Sequence, residues 1–184
     1  MSITIREMQR ADLERLGELS PPIEGAGEGH AKNPAEFHAY PTLVAVADPS
    51  IAARMVASGE VPPGAVSPDG LVVGYAQYTI SPDGTLHSQA IRVSRKFKGQ
   101  GIGARLVAER IRIAKSVGAR FHLYAVDPEG EVALKSILVG QGMHLCRRLP
   151  HVWLYAQDLV EEEDPGYTEP EWEACEGRHG EACA

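Results

Sequence analysis

Cysteine is scarce: only Cys146, Cys175 and Cys183 occur among 184 residues. Three thiols cannot all pair within one chain, which excludes the disulfide scaffold of a small secreted protein and fits a reducing compartment. No stretch reaches the roughly 18 uninterrupted apolar residues of a membrane helix. The opening, Met1-Ser-Ile-Thr-Ile-Arg-Glu7, lacks the basic-then-apolar layout of an export signal. A cytoplasmic protein without a membrane partner is the expectation. Aromatic residues make up 6% of the chain, with no basic aromatic platform of the kind that holds nucleic acid. What is abundant is ordinary: 43% apolar and 23% charged residues describe one globular domain, or one domain with a tail.

The net charge of −7 is unevenly placed. From Val160 onward there are nine acidic residues and one basic, Arg178, so this segment carries −8 and the rest of the chain is near +1. The spacing predicts a folded domain over 1–159 and a solvated, disordered acidic tail over 160–184. Cys175, His179 and Cys183 recur every four residues, a spacing that suits soft-metal ligands on one helical face. Gly177 and Gly180 disfavour that helix and no fourth ligand is evident, so no metal is expected.

Within 1–159, Ile3 and Ile5 alternate with polar residues as in a half-buried strand, and Asp12 precedes the helical spacing of Leu13, Leu16 and Leu19. Ser20 to Asn33 reads as a long loop, followed by a short helix over Pro34 to Tyr40. Leu43 to Ala47 is a strand, Ser50 to Ser58 one or two helical turns, and 49–70 as a whole a surface insertion. Leu71 to Ile80 and Thr85 to Val93 form a hairpin about the turn Ser81-Pro-Asp-Gly84. From Gly101 to Ser116 the period becomes helical, with Ile102, Leu106, Ile113 and Val117 on one stripe and Val107, Ile111 and Ala114 beside it. Phe121 to Val126 is then a strand, Glu131 to Val139 a helix, and Met143 to Arg148 and His151 to Asp158 two final strands. The order is βα(α)βββαβαββ.

The segment richest in chemistry is Lys98-Gly-Gln-Gly101-Ile-Gly103-Ala104, between a strand and the best-defined helix. Glycines permit close backbone approach, and free N–H groups at a helix N-terminus form a natural pyrophosphate site. Arg95, Lys96 and Lys98 add positive charge. A dinucleotide fingerprint is also satisfied by Gly99-Gln-Gly101-Ile-Gly-Ala104. That fold, however, wants the first glycine directly after the strand, whereas here five residues intervene and a hairpin precedes them. A P-loop is excluded by the lack of Gly-Lys-Ser/Thr.

This loop resembles the acetyl-CoA loop of the GNAT superfamily of N-acetyltransferases, Arg/Gln-x-x-Gly-x-Gly/Ala, with lysine at the first position. The resemblance extends to the element order over about residues 3–158. It implies an α/β (α+β) fold with a mixed, mostly antiparallel sheet of six or seven strands flanked by helices. It further implies acetyl-CoA as co-substrate, an amine-bearing acceptor, direct transfer in a ternary complex, and a homodimer made by pairing of the last strands. In such a protein Lys98, Gly99, Gln100, Gly101, Ile102, Gly103 and Ala104 hold the pyrophosphate. Ile91, Arg92 and Val93 lay their backbone along the pantetheine arm, with an N–H near Ile91 polarising the thioester carbonyl.

Attack on a thioester needs a neutral amine, so a group must accept the ammonium proton. His87 is the candidate base: it shares strand parity with Gln89, Ile91 and Val93, lies six residues before Val93 where a branch of the family carries a glutamate, and has imidazole chemistry suited to the task. The family's usual tyrosine acid and its asparagine are absent, their register falling on Leu138 and Glu131. Water, Tyr124 or Ser136 could replace the acid, or the chain binds acyl-CoA without turning it over. The polar parity of His122 and Tyr124 on one strand suggests a cleft lining. For the acceptor, Glu28 and His30 in the long loop and Arg147 in the last hairpin are the candidate contacts, carboxylates favouring a cationic amine and Arg147 with Arg148 an acceptor bearing a carboxylate or phosphate.

Overall fold

The computed structural model describes residues 2–13, 15–16, 39–63, 66–67, 69–126 and 128–160, with only the backbone given for 128–133. The long loop Ser20 to Asn33 and the acidic tail beyond Val160 lie outside these residues, as does most of the expected helix over Pro34 to Tyr40. The strands are β1 (Ile3–Glu7), β2 (Thr42–Ala47), β3 (Val66–Ser67), β4 (Gly70–Ile80), β5 (Thr85–Val93), β6 (Phe121–Val126), β7 (His144–Leu149) and β8 (Val152–Asp158). The helices are α1 (Pro49–Ala57), α2 (Ile102–Ser116) and α3 (Pro128–Gly140). Hydrogen bonding follows the order β1-β2-β4-β5-β6-β8-β7, with β3 on β4. The sheet is mixed and mostly antiparallel, and its eighth strand is the two-residue β3, too short for sequence periodicity to show. No described helix is long and apolar enough to cross a membrane.

The chain divides into two compact units, one of residues 1–79 and 90–110, the other of 80–89 and 111–184. In the first, β2 is buried at every position and β4 at its first nine, as expected of strands covered on both faces. β2 pairs antiparallel with β1 and β4, and a bulge between Ala45 and Val46 leaves Val73 unpaired. Leu16, Val44, Val46, Val72 and Tyr75 form the core, with Met8, Leu13 and Ala90 against it. Asp12, the expected first-turn acid, is fully buried; it accepts from Gln9 N–H at 2.7 Å and forks onto the Arg6 guanidinium at 2.7 and 3.1 Å. The segment 49–70 contributes α1, capped by Asp48 on Ser50 N–H at 2.8 Å, and buries Ile51, Ala52 and Val61.

α2 begins in this unit. Ile102, Leu106, Val107 and Arg110 are buried, in the i, i+4, i+5, i+8 spacing of one helical face. Arg110 belongs to this face although its charge marks it as a surface residue; its Nη1 donates to the Gln77 carbonyl at 3.3 Å. Val117, placed on the apolar stripe by its spacing, is instead 63% exposed, because it follows the helix end at Ser116.

In the second unit β6 pairs in parallel with β5 and antiparallel with β8, and β7 closes the order on β8. Leu86, Phe121, Tyr124, Val126, Leu138, Met143 and Tyr155 are among its large buried side chains.

Candidate active site

β5 ends in a short 3-10 turn, Arg95–Phe97, whose buried Phe97 ring anchors the start of the glycine loop. Lys98 is extended, and Gly99 and Gly101 then take φ of +76° and +74°, where a side chain is strained. A Cβ at either glycine would meet no heavy atom within 4 Å, so the space before the loop is open. α2 starts at Ile102, and its bond from Arg105 N–H to Gly101 O is 3.1 Å long. The N–H groups of Ile102, Gly103 and Ala104 precede it and have no acceptor within the helix. With the helix dipole behind them, they form the anion-binding arrangement that the spacing predicts.

The cations around this loop differ in their surroundings. Lys98 and Arg95 are exposed. Lys96 is hydrogen-bonded to the Glu60 carboxylate, which also accepts from Ser58 Oγ at 2.8 Å. Lys96, and secondarily Ser58, hold the Glu60 carboxyl below the usual carboxylate range. Sequence spacing gives no sign of this tether, since the partners are 36 residues apart.

On β5, Ser94 N–H donates to Val73 O at 2.8 Å, and a Cβ at Gly74 would lie 2.9 Å from Arg92 O. At this end of the strand the backbone groups of Arg92 and Ser94 thus face β4. By strand alternation those of Ile91 and Val93 face away from it, as a pantetheine-binding strand requires. The Arg92 guanidinium donates to the Ile91 carbonyl at 3.0 Å, so a ligand amide using that acceptor would share it with Arg92.

In the second unit, His87 is half-buried and its Nε2 lies 3.2 Å from Ser81 Oγ. That hydroxyl also contacts the Asp83 carboxylate. Neither Ser81 nor Asp83 stands out in the sequence beyond its role in the turn; the hairpin spacing that returns His87 towards Ser81 is the signal that could have found them.

The register separates residues that the sequence brings together. His87 is opposite Leu123 and Tyr124 opposite Ser88, and paired residues share a face, so His87 and Tyr124 point to opposite faces of the sheet. The ladder ends at Ser88 and Tyr124, while β6 continues to Val126. Tyr124 is buried, and His122 is wholly so, with Nε2 2.8 Å from Ser88 Oγ. The polar parity of β6 therefore marks its inward face, not a solvent-lined cleft. In this structure a fully buried His122 cannot touch an acceptor, and its Nε2 is engaged by Ser88.

Arg147 and Arg148 are exposed on β7, Arg148 lying 4.8 Å over the Trp153 ring. Glu28 and His30 lie outside the described residues. At the position where the family pattern carries its tyrosine, Leu138 is fully buried.

A mixed sheet with one parallel pair, and a glycine loop opening a helix directly after the central hairpin, define an α/β protein equipped to hold a phosphorylated ligand. The chain belongs to the Acetyltransferase (GNAT) family, whose profile matches residues 31–136, more than half its length. Among solved structures it is similar to a GNAT superfamily phosphinothricin acetyltransferase from Sinorhizobium meliloti in complex with AcCoA, with 18% identity and a TM-score of 0.64 over 92% of this chain and 95% of that one. It is similar to yncA from Salmonella typhimurium, solved with its cofactor acetyl-CoA, at 19% identity and a TM-score of 0.62 over 90% and 98% of the two chains. It is also similar to the paia N-acetyltransferase of Thermoplasma acidophilum in complex with coenzyme A, at 16% identity and a TM-score of 0.63 over 86% and 99%. These likenesses establish the fold. No curated protein matches the chain.

Proposed function

We propose that this protein transfers the acetyl group of acetyl-CoA to a primary amine by direct attack in a ternary complex. The observation that carries the proposal is the loop Lys98 to Gly103: two glycines at positive φ, open space before them, and the N-terminus of a 15-residue helix behind. These features fit a pyrophosphate, and the outward backbone groups of Ile91 and Val93 fit an amide-bearing arm. The neighbours solved with acetyl-CoA or coenzyme A support the same ligand.

When bound, acetyl-CoA supplies an activated thioester. The acceptor nitrogen attacks its carbonyl carbon, the C–N bond forms and the C–S bond breaks. His87 accepts the proton that the acceptor ammonium releases before attack, and the second proton, lost from the nitrogen as the tetrahedral adduct collapses, passes through solvent to the departing thiolate. Amine and thioester thus become amide and thiol. Tyr124 is not assigned the acid role, because it is buried on the face opposite His87. Arg147 and Arg148 favour an acceptor that carries a carboxylate or phosphate beside its amine. A cytoplasmic location fits the scarcity of cysteine, three residues in the whole chain, and a homodimer through β7, the terminal strand of the order, is the proposed assembly.

The second reading, an acyl-CoA-binding module without turnover, rests on Leu138 in place of the usual tyrosine. A thiol-release assay with acetyl-CoA over pooled primary amines and basic peptides separates the two. Release with at least one amine class, lost in His87→Ala, is the expected result. Stoichiometric binding with no release from any pool overturns the transferase in favour of the module.

A further inference from the structure

We infer that Ser81, its hydroxyl oriented by Asp83, is a positioning residue that fixes the proton of His87 on Nε2 and leaves Nδ1 as the basic nitrogen. This deepens the transferase reading above and rests on it for its catalytic consequence.

Ser81 Oγ has three polar neighbours: the Asp83 carboxylate, Thr85 O at 3.2 Å and His87 Nε2 at 3.2 Å. A hydroxyl has one hydrogen to give, and both an ionised carboxylate and a backbone carbonyl only accept. Asp83 is held in place by Thr85 N–H at 2.9 Å. The Ser81 hydroxyl, then Thr85 N–H, keep its carboxyl below the usual range, so it is ionised at neutral pH. Were the hydroxyl to donate to the imidazole, its lone pairs would face two acceptors at close range with no proton between them. The stable arrangement sends the Ser81 hydrogen towards Asp83 or Thr85 O and turns a lone pair to His87. Nε2 must then be the donor, and 3.2 Å is within the range of an N–H···O bond.

The turn therefore selects the tautomer, as the second nitrogen of a catalytic histidine is set by what the first one bonds. In the transfer step the acceptor ammonium gives one proton to Nδ1, forming an imidazolium whose Nε2–H stays on Ser81, and its second proton passes through solvent to the thiolate as the amide forms. No proton passes to Asp83, and the imidazolium returns its extra proton to solvent after the amide has formed.

The tautomer is read directly by long-range 1H–15N correlation of the full chain labelled with 15N-histidine, at a pH where His87 is neutral. Wild type is expected to show His87 with Nε2 protonated and Nδ1 unprotonated. Ser81→Ala is expected to give a mixture of tautomers and a kcat lowered about tenfold or more, part of the general-base contribution, with the KM for acetyl-CoA unchanged. Ser81→Thr, which keeps the hydroxyl, is expected to restore both. A wild-type protein with Nδ1 protonated, or a Ser81→Ala variant with unaltered tautomer, overturns the inference. Failure of the readings beneath it looks different: full turnover in His87→Ala overturns the base assignment, and acetylation of no amine overturns the transferase reading, while the tautomer signals still report on Ser81.

Discussion

Substituting Gly101 with alanine and with glutamate sets stability against binding at one position. Either side chain takes a backbone at φ +74°, which costs about 1–2 kcal/mol for an L-residue. Neither meets a packing clash at Cβ, since no heavy atom lies within 4 Å of the added atom. A chain of this length loses about 2–4 °C of Tm per kcal/mol, so Gly101→Ala should melt about 2–8 °C below wild type. Glutamate carries the same strain but places a carboxylate at the N-terminus of α2, recovering about 0.3–1 kcal/mol from the helix dipole. Gly101→Glu should therefore be at least as stable as Gly101→Ala. Binding should run the other way. A carboxylate about 5 Å from a phosphate charge, at an effective dielectric of about 20, opposes it by about 3 kcal/mol. That repulsion corresponds to about a hundredfold in Kd. Differential scanning calorimetry and acetyl-CoA titration of both variants measure the two orders. If Gly101→Glu binds acetyl-CoA as tightly as Gly101→Ala does, the loop is not where the phosphates lie and the assignment fails.

Three further outcomes are expected of the same structure. His87→Ala should lower turnover by about 10²- to 10⁴-fold, the range of a general base, while calorimetry finds the acetyl-CoA affinity unchanged. Leu106→Ala, at a fully buried position of α2, should cost about 2–5 kcal/mol in urea unfolding, with an unchanged m-value. Glu60 has its carboxyl depressed by Lys96, so the tether stabilises the fold above the ordinary glutamate range near pH 4.3 and is lost as pH falls through the lower folded value. Glu60→Gln should flatten that part of the acid limb in unfolding measured from pH 7 to 3, and an acid limb identical to wild type would refute the tether.

The parts of the site legible in the sequence are those governed by local chemistry. The switch from strand to helical period at Gly101, with glycines before it, marks the loop because both signals are local to one segment. The alternation along β5 predicts one parity for His87, Gln89, Ile91 and Val93, but burial does not keep that period, with His87 half-buried, Gln89 exposed and Ile91 buried. What could not be read depends on partners far along the chain. Whether Tyr124 shares a face with His87 is decided by the register of β5 on β6, which no property of either strand fixes alone. The polar parity of His122 and Tyr124 was visible, but its direction was not, because Ser88 meets the histidine Nε2 from another strand. Arg110 sits in a helical face otherwise apolar, and the Gln77 carbonyl that its Nη1 meets lies 33 residues away in the chain. Ser81 and Asp83 satisfied a turn signature so well that their second task was hidden.

Calorimetric titration of the full chain with acetyl-CoA, run beside an identical titration with NADPH, tests the central claim most directly. Saturable, one-to-one binding of acetyl-CoA with no heat from NADPH is the predicted result. No binding of acetyl-CoA, or tighter binding of NADPH, would contradict the assignment of the Lys98 to Gly103 loop and the transferase reading built on it.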